Sequence, residues 1–502
     1  MIKLIRLLFI SCIFCFLWTS CSTIHNVSQK LEPIELKKDL DVLHDIVVRF
    51  HPGLNEYISK DSFNQLYNHY RDSISRPLTI QEFGFHIVAP IITSLRCGHT
   101  SFNYPKWYNK KMRDSLPPLF PLYLKIWGDT MIVTSNVNKK DSILKKGTQV
   151  YSINGLNANE LTKKMLPYLP TDGYSNTYNY IRLSSAFPYY HRNIIGLSSE
   201  YVIDYLDGTV KKSTSIPLYY PEKIKKIPKP LTNPDSPVVK LNYSKLDKAR
   251  SIHFNESKNY ALLTLNTFDE GYHLSRFFKN CFSQLEEKKI RNLIIDIRLN
   301  GGGAVQHYAS LSRYIVPYNF KVADTAVAIC RGIGKFSAYF SYGAFYSTAI
   351  KLLTTKKEDQ LFHFRYIENH TYKPQKHNFF DGNVYVLISG PSFSAATLFA
   401  HVVKGLPNVA LVGEETGGGD YGNNGLMIPD IRLPNTGIKV RMPLFRIVQF
   451  QHGIKTGRGV LPDVLVPPTA EGVRNNRDLK LEKAIALIEE KSILSINQSN
   501  KN

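Results

Sequence analysis

At 502 residues the chain is too long for one ordinary hydrophobic core, so two or three domains are expected. With 43% hydrophobic and 21% charged residues it has the composition of a globular protein. The formal net charge of +22 admits nucleic acid, an anionic membrane surface or acidic ligands as partners. Nucleic acid is set aside: the lysines are spread along the chain (Lys110-Lys111, Lys139-Lys140, residues 223–229, Lys356-Lys357), with no recognition helix and no aromatic stacking motif. A solvated basic surface near a membrane is the favoured reading.

Lys3 and Arg6 precede an apolar run at residues 7–18, and Thr19-Ser20-Cys21 follows. The run is shorter than the roughly 20 residues that span a bilayer, so it is expected to be a signal peptide. Cys21 resembles the acylated cysteine of a bacterial lipoprotein, although Trp18 departs from the usual small aliphatic residue; plain cleavage near residue 20 is the alternative. After Cys21 only Cys97, Cys281 and Cys330 remain, an odd number with wide spacing that suits neither a disulfide framework nor a zinc site.

Residues 22–32 are polar and tether-like, and residues 34–70 carry apolar residues at helical spacing, among them Leu40, Leu43, Ile46 and Val47. A further helical stretch at 81–95 leads into Arg96-Cys-Gly-His99-Thr, which places His99 on a loop just past a helix end. From 117 to 218 the texture changes to short strands broken by turns. Within it, Gly147-Thr-Gln-Val-Tyr-Ser-Ile-Asn-Gly155 and the helical stretch after it resemble the second half of a PDZ module, which captures peptide ends by strand addition. An unrelated turn between two strands is the alternative. Residues 221–247, with several prolines and lysines, read as a linker. From 248 to 490 strands (260–265, 292–297, 384–389) alternate with helical patterns (274–289), the signature of an α/β region with crossover connections. Residues 491–502 are expected to be a polar tail.

A hydroxyl nucleophile needs an exposed oxygen, a base for its proton, and donors for the anion that forms on the attacked carbonyl. The stretch Gly390-Pro-Ser-Phe-Ser394-Ala-Ala reads as a turn between a strand and a helix that starts near Ser394. Helix N–H groups and the helix dipole favour negative charge there. By itself the stretch fits a capping serine better than a nucleophile. The run Asp296-Ile-Arg298-Leu-Asn-Gly301-Gly302-Gly303 ends an apolar strand in three glycines, which lets a substrate backbone or an oxyanion approach closely. No Lys-Ser or Lys-Thr follows, so a phosphate loop is disfavoured.

Together these two elements resemble the C-terminal processing peptidases, and more closely their branch with the tricorn protease core and interphotoreceptor retinoid-binding protein. Arg96-Cys-Gly-His99-Thr resembles that branch's Asp-Gly-His-Thr segment, Val412-Gly-Glu-Glu-Thr416 its Gly-Glu-x-Thr turn, and Gly457-Arg-Gly-Val-Leu-Pro462-Asp463 its Gly-x-Gly-x-x-Pro-Asp segment. The resemblance runs from about residue 34 to 490. It implies a crotonase/ClpP-like α/β catalytic domain with an N-terminal helical domain (22–115) and a PDZ-like module (116–220). It also implies Ser394 as nucleophile, His99 as base, and the N–H groups of Gly302 and Ala395 as the oxyanion hole, with no metal and no cofactor. The serine and lysine mechanism of other relatives is disfavoured, because Gly417-Gly-Gly-Asp420 holds no lysine where that branch has one.

Two positions depart from the family. Thr397 and Thr456 stand where acids are found, and the lost acid orients the histidine or binds a substrate amine. Glu414 and Glu415 are candidates to replace it, with Thr456 itself as a supporting residue. The expectation is an exported, lipid-anchored serine peptidase of the bacterial cell envelope, acting on peptides or unfolded protein tails. Its rivals are an inactive peptide- or lipid-binding lipoprotein, an acyl-CoA enzyme, which export argues against, and a small-molecule esterase.

Overall fold

The structure, a computed structural model, describes residues 26–222 and 244–499. The segment 1–21 with Cys21, most of the expected linker 221–247 and the last three residues lie outside the described residues.

The N-terminal region is helical. Pro33–Phe50 opens with proline in its first turn and buries Leu36, Leu40, Leu43, Val47 and Phe50 along one stripe. It stops at His51, whose extended backbone is what a following proline demands. Lys60–Ser73 packs beside it. The expected helix at 81–95 is a continuous helical path in three parts, Ile80–Phe83, a π turn at Gly84–Val88, and Ala89–Thr93. Pro90 supplies no N–H and crowds the preceding turn, and the widened turn just before it accommodates both effects.

The middle region is an antiparallel sheet in the order Leu122–Trp127, Thr130–Asn136, Gln149–Ile153, Glu200–Asp207, Val210–Pro217, with Leu156–Asn157 paired at the side of Gln149–Ile153. Leu122, Leu124 and Ile126 are buried while the residues between them are partly exposed, the period of two expected of a sheet with one covered face. Its core, from Phe120 to Ile216, is separate from the others.

The last region is built on a six-stranded sheet: Arg250–Asn255, Tyr260–Leu265, Asn292–Asp296, Asn383–Ile388, Val409–Gly413 and Val464–Leu465. All pairs are parallel except the first. Leu293, Ile294 and Ile295 are all fully buried because both sheet faces are covered. Helices Leu274–Glu287, Val305–Ser312 and Ala395–Val403 contribute to one core; the closing helix Leu479–Ser499 packs Ala484 and Ile488 on the other. That helix runs through the end expected at 490, so residues 491–499 continue it and are not a separate tail.

The boundary at 115 separates the N-terminal helices from the core of the middle region, but the expected N-terminal domain (22–115) is not a packing unit of its own. The N-terminal helices share one buried cluster with residues between Ala328 and Ile350 and between Ile431 and Phe445. A small sheet makes the link explicit: Ser101–Asn103 pairs antiparallel with Lys439–Arg441, which pairs with Asp430–Arg432. Its hairpin turn is held by Asp39 of the first helix, whose carboxylate accepts from the N–H groups of Asn435 (2.8 Å) and Thr436 (2.8 Å) and from the Thr436 hydroxyl (2.6 Å). Removing a buried acceptor strands its donors. Asp39→Ala is therefore expected to lower unfolding stability by about 2–3 kcal/mol, measured by urea denaturation; a change below about 0.5 kcal/mol would show that water replaces the carboxylate.

Candidate active site

The strand Asn383–Ile388 leads through Ser389-Gly-Pro-Ser-Phe393 into the helix Ala395–Val403, with Ser394 at the junction. The turn is knotted from inside. Ser392 Oγ accepts from the N–H of Ser389 (3.1 Å) and donates to the Ile297 carbonyl (2.9 Å), and the N–H of Phe393 donates to the Asn300 carbonyl (3.0 Å). Ser394 has φ 53° and ψ −121°, a conformation that costs an L-residue about 1–3 kcal/mol. Its side chain makes no capping bond, so the capping alternative falls away. That role would have required an extended backbone with the hydroxyl turned onto the helix. The hydroxyl faces a cavity of about 710 Å³ lined also by His99, Gly301, Gly302, Gly303, Arg182 and Arg441.

The glycine run touches the serine. A Cβ on Gly302, where φ is +101°, would lie 2.6 Å from Ser394 Cβ and 3.0 Å from Ala395 N. The two expected oxyanion donors differ. Ala395 N–H sits at the helix start, where no intrahelical acceptor exists. Gly302 N–H, by contrast, is engaged by Asn300 Oδ1 at 2.9 Å and is not a free donor in this structure. Asn300 is fully buried, and its Nδ2 also donates to the Leu265 carbonyl (3.1 Å), so this one side chain shapes the run. The sequence reading missed it.

His99 lies on the expected loop and is 8% exposed, its ring 4.6 Å from that of Phe393, the neighbour of Ser394. Two features anchor it. Thr100 Oγ1 is 2.8 Å from Nε2 of buried His51, whose Nδ1 accepts from the N–H of Gly53, so Nε2 is the donor. Directly afterwards, Ser101 pairs with Arg441 in the small sheet. His99 and Ser394 thus share one cavity wall but are not hydrogen-bonded to each other, and both imidazole nitrogens lack a partner among the described residues.

Burial first, and then the charges of Arg441 and Arg182, pull the His99 imidazole down to about 3. It is neutral at physiological pH and free to accept a proton, yet weakly basic. The carboxylate beside it is Asp172, with Oδ1 4.0 Å from His99 Nδ1. Asp172 Oδ1 accepts from the N–H of Gly98 (2.6 Å), while Oδ2 is buried without a partner. Burial pushes Asp172 up to about 7, against the lowering effect of the Gly98 and Gly419 N–H groups. Unsatisfied buried polar atoms each cost about 1–3 kcal/mol, and the two His99 nitrogens and Asp172 Oδ2 are three of them. In the sequence Asp172-Gly173 reads only as a turn, because its contact lies 74 positions away.

The candidates for the missing acid do not reach this cavity. Glu414 pairs with Lys480 at 2.7 Å. Glu415 binds Arg458 Nε (3.0 Å) and the N–H of Gly459 (2.7 Å), and Thr456 Oγ1 accepts from the N–H of Arg458 (3.2 Å). Thr416 adds bonds to Val460, so the Gly-Glu-x-Thr and Gly-x-Gly segments form a clasp between two chain segments. Thr397 donates to the Ser392 carbonyl (3.0 Å) and also supports the turn. Cys97, His99 and Asp172 bring ligand-type atoms within 4.8 Å of one another, the donor set for a metal ion. It fits poorly, because burial pushes the Cys97 thiol up to about 12 and a thiolate ligand would have to form there.

Gly302→Ala would place a methyl group against Ser394 on a backbone that only glycine adopts readily. Reaction of Ser394 with a fluorophosphonate is expected to fall roughly 100-fold or more with the circular dichroism spectrum unchanged; an unimpaired reaction would mean that the glycine run does not shape the site.

Residues 259–466 match the profile of peptidase family S41. Among solved structures, mature CPAF complexed with lactacystin aligns with a TM-score of 0.62 at 14% identity, covering 94% of this chain and 99% of that one. A second structure of mature CPAF gives 0.60 at 13% identity over 91% and 96%. The photosystem II D1 C-terminal processing protease gives 0.36 at 14% over 89% and 98%, too low a score to carry an argument. No curated protein matches at a significant level. At these identities the CPAF structures speak for the fold, which extends over nearly the whole chain, and the profile speaks for the sheet that bears Ser394 and the glycine run. Over that region the chain is similar to peptidase family S41, and the match supports a serine-type peptidase of the C-terminal processing kind.

Proposed function

We propose that this protein is an exported, lipid-anchored peptidase that hydrolyses peptides or unfolded protein tails through an acyl-enzyme on Ser394, with His99 as base. The observation that carries the reading is the strained, uncapped Ser394 at a helix start, opening on the cavity that His99 also lines. Ser394 Oγ attacks the peptide carbonyl while His99 takes its proton and then returns it to the leaving amine. The anion on the carbonyl oxygen meets the Ala395 N–H and the helix start, and Gly302 joins once Asn300 releases its amide. Water then attacks the ester by the same route.

The middle region, in its PDZ-like reading, presents peptide ends to the cavity. Acylation of Cys21 holds the enzyme on the membrane, where the basic surface meets anionic lipid. Among the described residues no helix is long and apolar enough to cross a membrane.

A second reading, a peptide- or lipid-binding lipoprotein without efficient turnover, is favoured by one observation: the serine and histidine are not hydrogen-bonded. Fluorophosphonate labelling of residues 22–502 separates the two. Labelling is expected in the wild type and lost in Ser394→Ala and His99→Ala; an unlabelled, folded wild type would leave the binding reading. In a bacterial host, Cys21→Ser is expected to move the protein from the membrane to the soluble fraction, and retention on the membrane would refute the lipid anchor.

A further inference from the structure

We propose that Asp172, on the loop of the middle region that leads into the helix Thr177–Ser185, is the positioning residue for His99 and takes the place of the acid that Thr456 replaces. The inference rests on the reading of Ser394 and His99 as nucleophile and base.

The geometry argues it first. Among the described residues, Asp172 is the carboxylate within 4.0 Å of the His99 ring. Both imidazole nitrogens and Asp172 Oδ2 are buried without partners, and a donor at Nδ1 with an acceptor at Oδ2 are chemical complements. A small rotation of either side chain joins them, fixing the tautomer that leaves Nε2 free to accept the serine proton. Asp172 also binds the His99 loop itself, through the N–H of Gly98.

The segment that carries Asp172 is clamped rather than loose. The N–H of Gly173 donates to the Arg96 carbonyl (3.0 Å), and that of Tyr174 to the Gly457 carbonyl (2.7 Å). The hydroxyls of Ser175 and Thr177 donate to the carbonyls of Thr416 (3.0 Å) and Glu415 (2.9 Å). A Cβ on Gly173 would lie 2.2 Å from the Gly457 carbonyl oxygen, so the two backbones pack directly against each other. The clasp of Glu415 and Arg458 therefore bears on the segment that carries Asp172. A consequence is that the nucleophile, the base and the orienting acid come from three different regions of the chain, and the middle region is part of the catalytic apparatus.

The electrostatics fit the same arrangement. A histidine held near 3 is a poor base by itself, and an ionised carboxylate at Nδ1 stabilises the imidazolium that forms as the serine proton arrives. Asp172, held near 7, is faced by Cys97, His99, Tyr57 and Arg182 and by the N–H groups of Gly98 and Gly419; His99 also faces Arg441. The pair thus keeps one proton below about pH 7, residing on Asp172, and loses it above, when the working state appears. Without the acid, the histidine alone would stay in its base form far below that pH.

The test compares wild type, Asp172→Asn, Asp172→Glu and Ser394→Ala, all as residues 22–502. Asp172→Asn keeps the acceptor for Gly98 and loses the charge. Its fluorophosphonate labelling rate at pH 8 is expected to fall by about 100-fold or more, with Asp172→Glu recovering part of it. The wild-type rate is expected to decline as pH falls through about 7, and that limb to be absent in Asp172→Asn. Stability provides a sign that a structural role would not give: the pKa of Asp172, raised from 3.8 to about 7, means that its contribution to stability is lost as pH rises from about 4 to about 7 and stays lost above that. Asp172→Asn should accordingly melt no lower than wild type at pH 8. A wild-type labelling rate and pH profile in Asp172→Asn would overturn the proposal, as would a loss that merely follows a lowered melting temperature. An imidazole Nδ1 proton resonance shifted far downfield in wild type and Ser394→Ala, and lost in Asp172→Asn, supports the contact even if the serine reading fails; its absence from wild type at pH 8 overturns it.

Discussion

The pairing of Ser101–Asn103 with Lys439–Arg441 is the contact on which the site depends. It ties the loop bearing His99 to the region bearing Ser394, which lie almost three hundred positions apart in the chain. Around it the structure adds layers of support: Asp39 grips the hairpin turn at 433–438, His51 braces Thr100, and the shared cluster of N-terminal and C-terminal residues fills the space beneath. A base delivered by a separate, loosely attached domain would sample many distances from its nucleophile. Here the backbone ladder reduces the remaining freedom to side-chain rotations.

The second constraint is the low polarity of that junction. Burial holds His99 neutral and resists ionising Asp172, so the uncharged form of each group is favoured over the charged one. Two such groups side by side are unfavourable for stability and useful for proton transfer. Ser394 follows the same pattern in its backbone, strained at the end of a strand whose turn is fastened by Ser392, Asn300 and Thr397. Strain at Ser394 and depressed basicity at His99 meet in one cavity, while the surrounding core is apolar and well buried.

Much of this was legible in the sequence because it is local. Apolar periodicity located the N-terminal helices, and the strand, glycine turn and helix around Ser394 and Gly302 were visible as contiguous patterns. Motif order placed His99, Glu415 and Thr416 in sequence, though not their roles: Glu415 looked like a stand-in acid and is the anchor of a clasp with Arg458. Gly302 looked like an oxyanion donor and its amide is held by Asn300, a bond two residues long that no residue pattern distinguishes from a plain turn. Asp172 was invisible for a different reason. Its significance comes from the distance to His99 in space, and an Asp-Gly pair in a loop carries no mark of it. The expectation of a self-contained N-terminal domain at 22–115 failed likewise, because sequence texture reports local structure and not which surfaces share a core.

The most direct test of the account is a crystal structure of the protein carrying a phosphonate on its nucleophile. The account predicts the adduct on Ser394 Oγ, its oxygen at the Ala395 N–H, and His99 with Nε2 within about 3 Å of the adduct and Nδ1 closed onto Asp172. An adduct on another residue, or a histidine turned away from Ser394 with its ring nitrogens still unpaired, would contradict it.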